Sequence, residues 1–271
     1  MNRYIVLFLA VALNIGSYPQ SNFQTIHIKG SDTMRILLER LAEDYMKQYP
    51  RIAIFVEGGG TASGIKDLIR NKIDICTASR TIRPEEVHLL AQNFNRIGIN
   101  TRVAKDALSV YINPQNPVCN LSMQQLEAIF TGKIRNWKAV GGNDEPITVL
   151  IRPPSSGTFL FFKEHVLGGK EYSLAARTEP TTMAIVNAVF KDVHAIGYGG
   201  LAYGTNVVHC KINRVEPSER SVIEDRYPLI RYLYFYTIDT PQGNIKAFID
   251  WVLKEGQGII REVGYVPLWS E

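Results

Sequence analysis

The sequence predicts an α/β protein built on a mainly parallel sheet with both faces covered. Two observations carry this. Between residues 24 and 104, short apolar runs of strand type alternate with runs of helical periodicity, as in a sheet whose crossovers are helices. In addition, four strand-like runs lead into turns rich in Gly, Ser or Thr. In open α/β sheets such turns gather at the carboxyl edge of the strands, where ligands bind.

In order along the chain, strands are expected near 25–29, 52–56, 73–76 and 96–103, and helices near 34–49, 64–71 and 84–93. Residues 106–112 form a further strand, after which Asn113-Pro114-Gln115-Asn116-Pro117 breaks the chain. A second α/β region follows. Ser122 caps a helix running to Phe130, with Gln125 at the capping-box position. Residues 147–151 are a strand and 158–167 a helix. Thr181-Thr182 caps a helix to Phe190, and 195–198 and 207–212 are strand-like. Arg226-Tyr227-Pro228 marks another break, and 231–237 is a β run by propensity. The last helix, 244–255, sets Ile245, Phe248, Ile249 and Val252 at helical spacing, so it packs on a sheet.

The four turns share one chemistry. Arg152-Pro153-Pro154-Ser155-Ser156-Gly157-Thr158 joins a strand to a helix. A helix N-terminus leaves backbone N–H groups unpaired and carries partial positive charge, which suits an anion. The hydroxyls add donors, and Arg152 adds a charged planar fork matched to phosphate-type oxygens. The same design recurs in Gly30-Ser31-Asp32-Thr33-Met34, in Gly58-Gly59-Gly60-Thr61-Ala62-Ser63-Gly64 and in Cys76-Thr77-Ala78-Ser79-Arg80. An ordinary N-cap accounts for any one of them; four together point to an anion site.

Composition bounds the rest. The chain has 271 residues and 45% hydrophobic content, enough for one large or two medium domains. Its formal charge of +4 is too mild, and too unpatterned, for nucleic acid. Residues 1–23 read as a secretory signal: Arg3, an apolar run from Tyr4 to Ile15, then small and polar residues. That run is shorter than the ~20 residues of a membrane span; an uncleaved anchor or a buried strand is the other reading. Of the cysteines, Cys76 lies in a strand-like segment as a small buried residue, while Cys119 and Cys210 pair if the fold brings them together. With no Cys-x-x-Cys and five scattered His, neither a metal nor another cofactor is implied.

The ordered set of these pieces resembles the PstS family, the periplasmic phosphate-binding proteins of bacterial phosphate ABC transporters. The resemblance runs from about Thr25 to Leu268. Besides the four turns, it includes Lys105-Asp106-Ala107, the run from Ile129 to Trp137, Ala195-Ile196-Gly197-Tyr198 and Gly264-Tyr265-Val266-Pro267-Leu268. It implies a two-lobed periplasmic-binding-protein fold (type II-like) with two hinge crossings, near 104–108 and 226–233. Lobe I would comprise 24–106 and 228–271, and lobe II 107–227. It also implies a monomer that captures inorganic phosphate between the lobes and delivers it to a membrane permease, without covalent chemistry. By motif it implies Thr33, the N–H of Met34, Thr61 with Ser63 beside it, Arg152, Ser156, Gly157 and Thr158 as site residues; Ser31, Asp32, Ser79 and Arg80, in the same turns, complete the expected set.

One departure concerns the proton acceptor. In the best-known branch of the family the third turn ends in an Asp that accepts a proton from phosphate; here Ser79 aligns there and Arg80 follows. Asp32 either takes over that acceptor role or caps its own helix. Arg80 is either a second anion-binding cation or a surface residue. The same fold could carry sulfate or molybdate instead, a choice that turns on the acceptor. A secreted phosphatase is poorly supported: neither Ser63 nor Ser156 sits in Gly-x-Ser-x-Gly, and the five His are scattered without a pattern.

Overall fold

A computed structural model describes residues 24–269; the expected signal segment, 1–23, lies outside them. The chain begins with β1 (Gln24–Gly30), α1 (Arg35–Gln48), β2 (Ile52–Glu57), α2 (Thr61–Ile69), β3 (Ile75–Ala78) and α3 (Pro84–Phe94). Next come the long β4 (Ile99–Ile112), β5 (Asn120–Leu121), α4 (Met123–Phe130), β6 (Thr148–Ile151), α5 (Gly157–His165) and β7 (Arg177–Thr178). The remainder is α6 (Thr182–Lys191), β8 (Ala195–Gly200), β9 (Val208–Ile212), α7 (Glu219–Ile223), β10 (Ile230–Thr237), α8 (Gly243–Leu253) and α9 (Gly256–Glu262).

The strands follow the order β2-β1-β3-β10-β4-β8-β6-β7, with β9 pairing both β4 and β5. Each end is parallel, as expected: β1 with β2 and β3, and β6 with β7 and β8. The middle is not. β10 runs antiparallel to β3 and β4, and β4 antiparallel to β8 and β9. The two strands expected at 96–103 and 106–112 are one. Residues 99–107 of β4 pair with β10, and 108–112 pair with β8. The polar pair Lys105-Asp106 makes the run look interrupted, but Asp106 stays inside the strand because a buried Arg neutralises it.

Strand alternation sorts the core into four clusters. Leu233 and Phe235 face α1 and α8, while Tyr234 and Tyr236 face α2 and α3. Beyond Asp106, Leu108, Val110 and Ile112 face α4 and α5, and Tyr111 faces α6. Each fully buried Leu, Ile or Phe contributes roughly 1.5–3 kcal/mol. The last helix carries its expected face: Phe248, Ile249 and Val252 are buried. The chain then turns into α9, which sequence reading missed because Gly256 and Gly258 weaken its helical signal. The Ser122–Gln125 capping box on α4 is present as expected.

All three cysteines are free thiols, and only Cys119 is exposed. Burial pushes the Cys76 thiol well up and the Cys210 thiol up to about 12. At about pH 8, iodoacetamide should therefore label only Cys119 in the native protein and all three after denaturation. Peptide mass spectrometry reads this; native labelling of Cys76 or Cys210 would contradict the packing.

Candidate functional site

The turn after β1 is built to bring hydroxyls into the interior. Gly30 has φ +150°, and a Cβ there would sit 2.1 Å from Thr77 O, so only glycine fits. Ser31 N then donates to Thr77 O (2.9 Å) and Thr77 Oγ1 (3.0 Å), locking the turn to β3. Thr33 is buried, and its hydroxyl meets that of Thr158 at 2.8 Å. The Met34 N–H, expected to face the anion, instead donates to Ser31 O (3.0 Å) and closes the turn.

The helices α2 and α5 start against each other. Thr61 opens α2, and its Oγ1 accepts from Ser79 N (3.3 Å). Sequence reading began this helix three residues late, so Thr61 and Ser63 lie on its first turn rather than in a loop. Ala62 N donates to Ser155 O (3.1 Å), which ties α2 to the turn before α5. Ser156 caps α5, accepting from Thr158 N (3.2 Å) and Phe159 N (3.4 Å). A Cβ on Gly157 would stand 2.5 Å from Thr61 Oγ1 and 2.7 Å from Ser79 Oγ. Two helix N-termini, both partially positive, thus converge on one buried point.

Among the described residues, the buried side-chain atoms without a hydrogen-bond partner are Ser79 Oγ and the Nε atoms of Arg152, Arg80 and Arg83; Ser79 Oγ stands at this point beside Gly157, and Arg152 opens the turn that leads into α5. Arg152, 1% exposed, is otherwise fully engaged. Its Nη1 donates to Thr182 Oγ1 (2.8 Å), and its Nη2 to Asp32 Oδ2 (2.8 Å) and Pro180 O (3.0 Å). Burial pulls the guanidinium below its ordinary value, and the Asp32 carboxylate opposes that shift. The other oxygen of Asp32 accepts from Gly59 N (3.0 Å), so this side chain spans two turns rather than capping its own helix.

Two expected residues stand apart. The Arg80 guanidinium is buried but turned to Glu86, donating from Nη1 and Nη2 to both carboxylate oxygens (2.8 and 2.7 Å). Burial alone would raise the Glu86 carboxyl; the Arg80 hydrogen bonds and charge outweigh it and hold it low. Arg80 is thus neither a surface residue nor a free cation. Ser63 is half-buried and faces Gly59.

Sequence reading missed Arg231 on β10 as a site residue and took Asp106 only as part of a family motif. Both are almost fully buried and paired at 2.7 Å, and Arg231 Nη1 donates to Thr158 Oγ1 (3.0 Å). A signal was available: a charge inside an apolar strand run implies a buried partner. The two Arg and two Asp side chains balance, so an incoming anion is held by directed donors rather than by net charge.

The PBP superfamily domain model matches residues 17–255, most of the chain. The phosphate-binding protein PstS of Bacillus subtilis is 31% identical over 248 residues, 90% of this chain and 81% of that protein. The chain belongs to the PstS family. PstS of Pseudomonas aeruginosa PAO1 is 28% identical, over 88% of this chain and 81% of its own length. Two solved structures extend the likeness to three dimensions. One, from Clostridium perfringens and holding bound phosphate, superposes with a TM-score of 0.85 at 28% identity, covering 91% of this chain and all of that one. The other, an ABC-type phosphate transport receptor from Vibrio cholerae, gives 0.73 at 29% identity over 89% and 99%. The fold is accordingly the two-lobed one of PstS proteins.

Proposed function

We propose that this protein captures inorganic phosphate in the cleft between its two lobes, outside the cytoplasm, and delivers it to the membrane permease of an ABC transporter. The observation that carries the reading is Ser79 Oγ, buried without a partner where two helix N-termini meet, together with the partnerless Nε of Arg152 at the start of the turn into α5. Buried polar groups require partners, and a small tetrahedral anion with several acceptor oxygens supplies them. The ligand set is Thr33, Thr61, Ser79, Arg152, Gly157 and Thr158, with Ser31 and Ser156 shaping the turns and Asp32 as the acceptor. Residues 24–106 and 228–271 act as lobe I and 107–227 as lobe II, and β4 and β10 carry the hinge. Residues 1–23 direct export to a periplasm, where the protein works as a monomer. Among the described residues no helix is long and apolar enough to cross a membrane.

The hydrolase alternative draws on one Ser–His contact, Ser109 Oγ to His209 Nδ1 at 2.8 Å. Ser109 is fully buried in mid-strand, and the other His209 nitrogen contacts Gly204 O. A nucleophile must reach its substrate, so this pair serves packing. The stripped protein should retain radiolabelled phosphate on a filter against excess sulfate or molybdate; displacement by either would overturn the reading.

Selectivity rests on Asp32. A carboxylate accepts a hydrogen bond from protonated phosphate and repels unprotonated sulfate. Asp32 Oδ2 accepts from Arg152 and Oδ1 from Gly59, and each oxygen retains capacity for a further donor. Asp32→Asn should reduce the ratio of phosphate to sulfate affinity about tenfold or more. The ratio separates selectivity from any general weakening, and an unchanged ratio would remove Asp32 from the acceptor role.

A further inference from the structure

We infer that Arg231 is a positioning residue of the anion site: held by Asp106 on the neighbouring strand, it fixes the Thr158 hydroxyl as a donor toward the bound anion. This rests on the phosphate-site reading above and extends it to two residues outside the four turns.

Arg231 and Asp106 are register partners across β10 and β4. Arg231 Nε and Nη2 both donate to Asp106 Oδ2 (3.0 and 2.7 Å), which leaves Nη1 as the free arm of the fork. That arm reaches Thr158 Oγ1 at 3.0 Å. Asp106 is itself anchored, its Oδ1 accepting from Leu201 N (3.1 Å). The guanidinium also lies over the Phe161 ring, 5.6 Å from its centroid, one turn further along α5 from Thr158. With 4% and 1% exposure, neither charge has room to swing away.

The consequence lies in the hydroxyl's inventory. A threonine hydroxyl has one hydrogen and two lone pairs. Once Oγ1 accepts from Arg231, its own hydrogen must point elsewhere, to Thr33 Oγ1 at 2.8 Å or to an anion between the helices. The cationic donor also polarises the O–H and strengthens it as a donor. Without Arg231 the hydroxyl could turn a lone pair toward the anion and repel it. Because Asp106 neutralises Arg231, the pair contributes direction rather than net charge. Buried ion pairs are weak sources of stability, so the pair's effect is sought in what its third arm does.

The test is a double-mutant cycle on phosphate affinity, read by calorimetry alongside thermal melting without ligand. Arg231→Lys keeps the charge opposite Asp106 but lacks the fork that spans Asp106 and Thr158. It should weaken phosphate binding about tenfold while leaving the ligand-free melting midpoint near that of the parent. Thr158→Val should weaken binding at least as much. The double variant should bind no worse than Thr158→Val alone, because Arg231 acts only through that hydroxyl. An unchanged affinity in Arg231→Lys, or losses that add in the double variant, would overturn the inference. If Arg231→Lys does not fold, the neutral pair Arg231→Met with Asp106→Leu replaces it in the same cycle with the same expectation. Parent protein that bound sulfate and not phosphate would overturn the ligand reading alone; the cycle run with sulfate would still decide Arg231.

Discussion

Arg152→Met abolishes anion capture, with phosphate affinity expected to fall by about a thousandfold or more. The side chain is 1% exposed, and its Nε is one of the two partnerless buried groups that the anion is taken to satisfy. Two losses combine. The charged hydrogen bond that Nε would give the anion is lost, worth roughly 1.5–3 kcal/mol. The Asp32 carboxylate, whose Oδ2 is 2.8 Å from Arg152 Nη2, then faces the anion uncompensated. Breaking a buried pair by removing one partner costs about 3–5 kcal/mol, so the melting temperature should drop as well. A second change separates the two effects. Arg152→Met with Asp32→Asn should recover much of the stability and none of the affinity, as measured by thermal melting and retention of labelled phosphate. Recovery of tight binding in that double variant would show that the anion is held elsewhere.

Gly157→Ala should act in the opposite way, removing binding while sparing the fold. Gly157 is the first residue of α5 and not an interior one, so helix propensity changes little with alanine there. The atoms nearest to a methyl there are Thr61 Oγ1 at 2.5 Å and Ser79 Oγ at 2.7 Å. A methyl at Gly157 therefore props the two helix N-termini apart and occupies the point where the donors converge. The expected result is a ligand-free melting temperature close to or slightly below that of the parent, with phosphate affinity reduced by about a hundredfold or more. Affinity within about threefold of the parent would mean that the close approach of α2 and α5 is not part of the binding state.

The local parts of this structure were legible in the sequence because their causes are local. Gly30, Gly60 and Gly157 stand where hydroxyls follow a strand and a helix begins, and that pattern is visible in a few consecutive residues. The Ser122–Gln125 box and the apolar face of α8 follow from short-range spacing in the same way. What could not be read depends on partners far along the chain. Whether Asp106 ends a strand or sits inside one depends on Arg231, 125 residues later. Whether Asp32 caps a helix or bridges two turns depends on Arg152, 120 residues later. Arg80 looked available for an anion because nothing in its own turn shows that Glu86 will claim both of its terminal nitrogens. The antiparallel centre of the sheet was hidden for a related reason: an apolar run shows that a strand forms, but not which neighbour it joins.

The most direct measurement of the central claim is calorimetric titration of the stripped protein with phosphate and then with sulfate, across about pH 5 to 9. Phosphate should give a saturable one-site heat, and sulfate none. Preferential binding of sulfate, or no heat with phosphate at any pH, would contradict the assignment of this site to phosphate.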